Sequence, residues 1–165
     1  LRLNLRQAKQ LMVPRRKMSV LDVDTPLTEV IGIVSQSPFS RLPVYRDSID
    51  NVVGMLHTKD LVRWLVTGGS TDATLARLLR PIGTVHESVT ADRVLRQLRE
   101  RRTHQALVVD EFGGTAGLLT LEDHGDTTRI VLHELYPSAE AFEAAKGSYD
   151  GMPESFGQLD ALLAG

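Results

Sequence analysis

Two aspartates recur at matching places in this sequence. Gly54, His57 and Asp60 are spaced like Gly117, Thr120 and Asp123, giving the pattern Gly-x-x-Thr/His-x-x-Asp twice. A carboxylate at the junction of a strand and a helix can accept hydrogen bonds from ligand hydroxyls, or can cap the helix's unpaired N–H groups. Because an ionised carboxylate repels phosphate, an anionic ligand needs cationic donors or helix N-termini as well. Arg41, Arg101 and Arg102 are the candidates for that role, set against the ordinary solvated role of surface arginines. His57 and His104 have the usual alternative of structural, hydrogen-bonded histidines. The acids of Glu122-Asp123-His124-x-Asp126 suit a hard cation in type, but such acids in a turn are normally solvated, so no protein metal site is expected. No phosphate-binding loop, dinucleotide fingerprint, HExxH or nucleophile elbow occurs, so no catalytic residue and no enzyme activity are expected.

The elements that must position these residues form an internal repeat. Ser40 through Asp60 aligns without a gap on Thr103 through Asp123. Each copy has an apolar strand, an acidic or glycine-containing turn, and a second apolar strand opening with Gly, the pattern of a hairpin with buried strands. Upstream of the first copy, Leu27, Val30, Ile31 and Val34 form one face of a helix, with Thr25-Pro26 as cap and first-turn proline. Upstream of the second, Val89, Val94, Leu95 and Leu98 do the same behind Thr90. Short apolar segments, Ser19 to Val23 and Gly83 to Val85, precede these helices. A further helix bearing Leu61, Val62, Trp64 and Leu65 follows Asp60 and stops at Gly68-Gly69. Each copy reads β-α-β-β-α. Neither is long enough to bury much core alone, so the two are expected to pack face to face.

Composition narrows the class without naming it. The 165 residues are 42% hydrophobic and 24% charged with a net charge of -2, which gives no electrostatic reason to expect nucleic acid as partner. Cysteine is absent, consistent with a reducing compartment. No apolar run reaches membrane-spanning length, and no signal-peptide pattern opens the chain. The expectation is a soluble module taken from something larger.

The motifs together resemble the tandem CBS-domain pair of CorC/haemolysin-like magnesium and cobalt efflux proteins. The resemblance runs through Leu11-Met12-Val13-Pro14-Arg15, Ser40-Arg41-Leu42-Pro43-Val44-Tyr45 and Val53-Gly54-Met55-Leu56-His57-Thr58-Lys59-Asp60-Leu61. It continues in Arg101-Arg102-Thr103-His104, in Val108-Val109-Asp110-Glu111-Phe112-Gly113-Gly114-Thr115-Ala116-Gly117, and in Leu118-Leu119-Thr120-Leu121-Glu122-Asp123. It implies an α+β fold: two β-α-β-β-α CBS units packed as a pseudo-two-fold pair. It also implies a regulatory module on the cytoplasmic side of a membrane transport domain, dimeric, binding ATP or AMP, with Mg2+ arriving alongside ATP. In such a module Asp60 and Asp123 accept from both ribose hydroxyls, His57 and Thr120 lie beside them, and Arg41, Arg101 and Arg102 take the phosphates. The alternative is a ligand-free dimerisation scaffold.

After Asp123 the pattern of that family breaks. Thr127 to Val131 favours a strand, and short helices are expected at Ala139 to Lys146 and Pro153 to Ala164. This stretch resembles the C-terminal end of a START-like (SRPBCC) domain of the heat-shock ATPase-activator type, which implies, less strongly, an apolar-ligand binder. The expected organisation is a leading segment (1–18), CBS unit 1 (19–69), a linker (70–82), CBS unit 2 with its last helix missing or replaced (83–124), and a C-terminal tail carrying a strand and one or two helices (125–165).

Overall fold

The computed structural model describes residues 3–123 and 128–130, and these form a mixed α+β fold. The helices expected at 139–146 and 153–164, the START-like reading, and His124 and Asp126 of the acidic cluster lie outside the described residues. The chain divides into two compact units. One holds residues 19–82 with 113–115, and the other holds 3–18, 83–112 and the described residues from 116 on. We call them the Asp60 unit and the Asp123 unit.

In the Asp60 unit, β2 (Leu21–Asp22), β3 (Arg41–Arg46), β4 (Ser48–His57) and β5 (Leu79–Arg80) form a sheet in the order β2-β3-β4-β5. β2 runs parallel to β3 because helix α1 (Leu27–Gln36) makes the crossover, and β3 and β4 are antiparallel across a turn at Asp47, whose φ is 63°. Leu27 and Val30 of α1 are buried, with Ile31 and Val34 packed at the edge of the same cluster, as the helical spacing requires. Pro26 stands at the N-cap and no side chain caps α1, so the capping role read for Thr25 is not taken up. Helix α2 (Thr58–Val66) follows β4 directly and ends at Gly68, where φ is 83° and Gly69 N–H donates to the Trp64 carbonyl at 2.8 Å. Leu61 is buried and Trp64 and Leu65 pack on the core, while Val62 is 55% exposed.

The Asp123 unit repeats this plan with one strand taken from elsewhere in the chain. Its sheet runs β1 (Val13–Pro14), β8 (Thr115–Asp123), β7 (Gln105–Val109), β6 (Gly83–His86), and β9 (Thr128–Ile130) also pairs with β8. Helix α3 (Ala91–Glu100) makes the crossover from β6 to the parallel β7 and buries Ala91, Val94, Leu95 and Leu98. Thr90 occupies the N-cap, but its side chain makes no capping bond. The leading residues are built into this unit: Ala8 is fully buried, Ala8 N–H donates to Val89 O, and Ala91 N–H donates to Arg6 O. No described helix is long and apolar enough to cross a membrane.

Candidate functional site

Asp60 is the third residue of α2, where the helix N-terminus favours negative charge. It is not the cap, which is His57. Its carboxylate is engaged side-on by Arg80: Nε donates to Oδ2 at 2.6 Å and Nη2 to Oδ1 at 2.8 Å. Arg63, one turn along α2, stands 3.6 Å from Oδ1, an ion pair beyond hydrogen-bond range. The Asp60 side chain keeps 16% of its surface exposed. The Arg80 hydrogen bond holds the Asp60 carboxyl below the usual carboxylate range, so it is ionised at neutral pH.

Arg80 reaches Asp60 because β5 lies beside β4, with Arg80 opposite Met55 and Leu79 opposite Leu56. That approach requires Gly54. A Cβ there would stand 2.9 Å from Leu79 Cβ and 3.0 Å from the Arg80 carbonyl oxygen. The segment leading into β5 is also fastened down. Leu75 is 1% exposed, Trp64 Nε1 donates to Ser70 O at 3.0 Å, and the Arg77 guanidinium sits over the Trp64 ring at 6.0 Å. Arg41 and His57 are cross-strand partners on β3 and β4. Burial and then the nearby Arg80 and Arg41 push His57 below its ordinary value, favouring the neutral imidazole. Arg41, His57 and Asp60 are therefore gathered at one end of β4.

In the Asp123 unit the named residues are placed differently. Thr120 is buried at 3% exposure, and its hydroxyl accepts from Gln105 Nε2 at 3.1 Å. Asp123 is the last residue of β8 and pairs with Thr128 of β9, a strand position where Asp60 has a helical one. Arg101 is the C-cap of α3, and its guanidinium lies over Gly83, 2.9 Å from where a Cβ would stand. Arg102 follows with φ 51°. Arg102 N–H donates to Arg99 O and Thr103 N–H to Leu98 O, a Schellman closure at a position where glycine is the unstrained choice. Among the described residues no three His, Asp or Glu side chains converge as metal ligands.

The CBS domain, as a family, matches residues 8–67 and 76–123. The chain belongs to the CBS-domain family. Its CBS pair is of the kind found in the CorC/CNNM magnesium transporters. The CBS domain of a bacterial CNNM/CorC family Mg2+ transporter, solved in complex with ATP, is 36% identical with a TM-score of 0.67, over 72% of this chain and 83% of that one. A CBS-domain pair from Klebsiella pneumoniae with bound AMP is 27% identical, with a TM-score of 0.62, over 70% and 91%. The magnesium and cobalt efflux protein CorC of Pasteurella multocida is 40% identical over 117 residues, 71% of this chain but 39% of the relative. The chain thus spans well under half the length of that relative.

Arg80, which engages the candidate carboxylate Asp60, is the residue that the sequence reading does not single out. The signal was present in a second, weaker repeat. Leu78-Leu79-Arg80-Pro81 and Leu11-Met12-Val13-Pro14 supply the equivalent strands β5 and β1. Gly117 admits β1 just as Gly54 admits β5, since a Cβ at Gly117 would collide with the Val13 carbonyl oxygen and Met12. Both glycines, read from sequence as parts of a ligand motif, thus have a packing reason of their own.

Proposed function

We propose that this CBS pair is a regulatory module that binds an adenine nucleotide, ATP or AMP, for a CorC-like divalent-cation transport protein. The observation that carries the reading is the Asp60 carboxylate: ionised, partly exposed, and set in the first turn of α2. An ionised carboxylate offers about four lone-pair positions. Arg80 occupies one on each oxygen, which leaves one on each for the two hydroxyls of a ribose. In this reading His57 lies beside the sugar, and Arg41, its cross-strand partner, supplies a cation for the phosphates. These residues fit the group, and the ATP- and AMP-bound relatives support it. Mg2+ enters with ATP as the counter-ion of its phosphates, not as a protein-held metal.

In this reading Asp60 is the principal ribose acceptor, while Asp123, Thr120, Arg101 and Arg102 belong to the second site. The module works on the cytoplasmic face of the membrane, as a homodimer, and passes nucleotide occupancy to a transport domain as a shape change. A ligand-free dimerisation scaffold is the second reading, favoured by Val62 and Val66, both exposed on α2.

Calorimetric titration of ATP and AMP, with and without Mg2+, tests the function. The expected result is saturable binding together with a rise in thermal stability, about 2.7 kcal/mol at a hundredfold excess over Kd. Silence at millimolar nucleotide in both measurements would leave the scaffold reading.

A further inference from the structure

Asp60 follows β4 and Asp123 ends β8, and each strand has an edge partner, β5 beside β4 and β1 beside β8. The two partnerships share one register. Arg80 faces Met55 as Val13 faces Leu118, and Met55 and Leu118 are equivalent in the repeat. The same position therefore holds an arginine in the Asp60 unit and a buried valine, 6% exposed, in the Asp123 unit. A guanidinium at an edge-strand position is not needed for the fold, since the repeat builds the same edge without one.

We propose that Arg80 is a positioning residue that gives the Asp60 site its selectivity for an intact ribose diol. The inference rests on the nucleotide reading above. The two parallel N–H bonds fix the plane of the carboxylate, which a single donor cannot do. With that plane fixed, the remaining lone pair on each oxygen points away from Arg80 at a defined angle, matched to two adjacent hydroxyls. The electrostatics agree, since Arg80 also keeps the carboxyl in its charged, acceptor-only form. Without Arg80 the carboxylate is free to turn toward Arg63, already 3.6 Å away, and the pairing with both hydroxyls is lost. The groups facing Asp60 are thus Arg80 from β5, Arg63 from its own helix, and His57 from the end of β4. Lys would not substitute, because an ammonium is a point charge without the fork.

The test compares ATP with 2′-deoxy-ATP by calorimetry in wild type, Arg80→Ala, Arg80→Gln and Arg80→Lys, with Asp60→Asn as background. Arg80 is 45% exposed, so these variants remove no core packing, and Arg80→Gln serves if Arg80→Ala folds poorly. The expected result is about a tenfold preference of wild type for ATP over the deoxy analogue, the size of one hydrogen bond to a charged group, falling to near unity in all three variants. In the Asp60→Asn background, replacing Arg80 should change nothing further. A variant that binds ATP more tightly, or keeps the full preference, would overturn the proposal and mark Arg80 as a competitor of the sugar. Wild type that binds ATP without preference would also overturn it while leaving the nucleotide function intact. Wild type that binds neither nucleotide overturns both, a failure visible before any variant is made.

Discussion

The two repeats share a hairpin, a crossover helix and a glycine that admits an edge strand, yet they deliver their carboxylates differently. After Gly54 the chain turns into α2 at Thr58, and Asp60 sits in the first helical turn against Arg80. After Gly117 the strand continues to Asp123, and the edge partner brings Val13 in place of an arginine. Judged by the motif alone, the second copy is the better site, because it has Thr120 where the first has His57. In the structure Thr120 is buried and engaged by Gln105, and in the first copy Asp60 is ionised and held side-on by Arg80. The comparison teaches that a short motif specifies where a site is, and that strands distant in sequence decide how well it is built.

If the two edges are equivalent in plan but not in function, they should respond differently to perturbation. The largest effect is expected from Leu75→Ala, which empties a 1%-exposed position that its counterpart Ala8 fills with a single methyl group. A loss of about 3 kcal/mol is expected by denaturant unfolding, together with weaker ATP binding as β5 loosens. Gly117→Ala should destabilise by about 2–3 kcal/mol, because the new Cβ meets the backbone of β1. Gly54→Ala should cost less, about 1–2 kcal/mol, since its nearest neighbours are 2.9–3.0 Å away, but it alone should also weaken ATP binding by displacing Arg80. The helix ends offer a smaller contrast. Gly68→Ala should destabilise and Arg102→Gly stabilise, each by about 1 kcal/mol in thermal unfolding, because both positions require positive φ.

The smallest effect is on pH dependence. His57 and Asp60 both have folded-state values depressed below their ordinary 6.5 and 3.8. The unfolded chain therefore binds protons first on acidification, and stability falls with pH. The His57 contribution is present above about pH 6.5 and is lost below it, and that of Asp60 is present above about pH 4 and lost below it. His57→Gln should remove the first decline and Asp60→Asn the second, as read by urea midpoints from pH 7 to pH 3.

Much of this was legible in the chain. The hairpins, the buried faces of α1 and α3, and the termination at Gly68-Gly69 follow from apolar spacing and turn residues. The glycines of the motif were seen, but their reason was not, because it lies in strands of two residues. β1 and β5 are too short for any periodicity to show, and Arg80 is twenty residues from the carboxylate it holds. The capping hydroxyls of Thr25 and Thr90 were misjudged because propensity at an N-cap does not guarantee the bond.

The claim that the Asp60 unit holds the better-built site is tested most directly by titrating ATP into Asp60→Ala and Asp123→Ala side by side. The account predicts that Asp60→Ala removes most of the binding heat and most of the affinity, while Asp123→Ala leaves both near wild type. Binding that survives Asp60→Ala and disappears with Asp123→Ala would contradict it, and would return the site to the copy with the fuller motif.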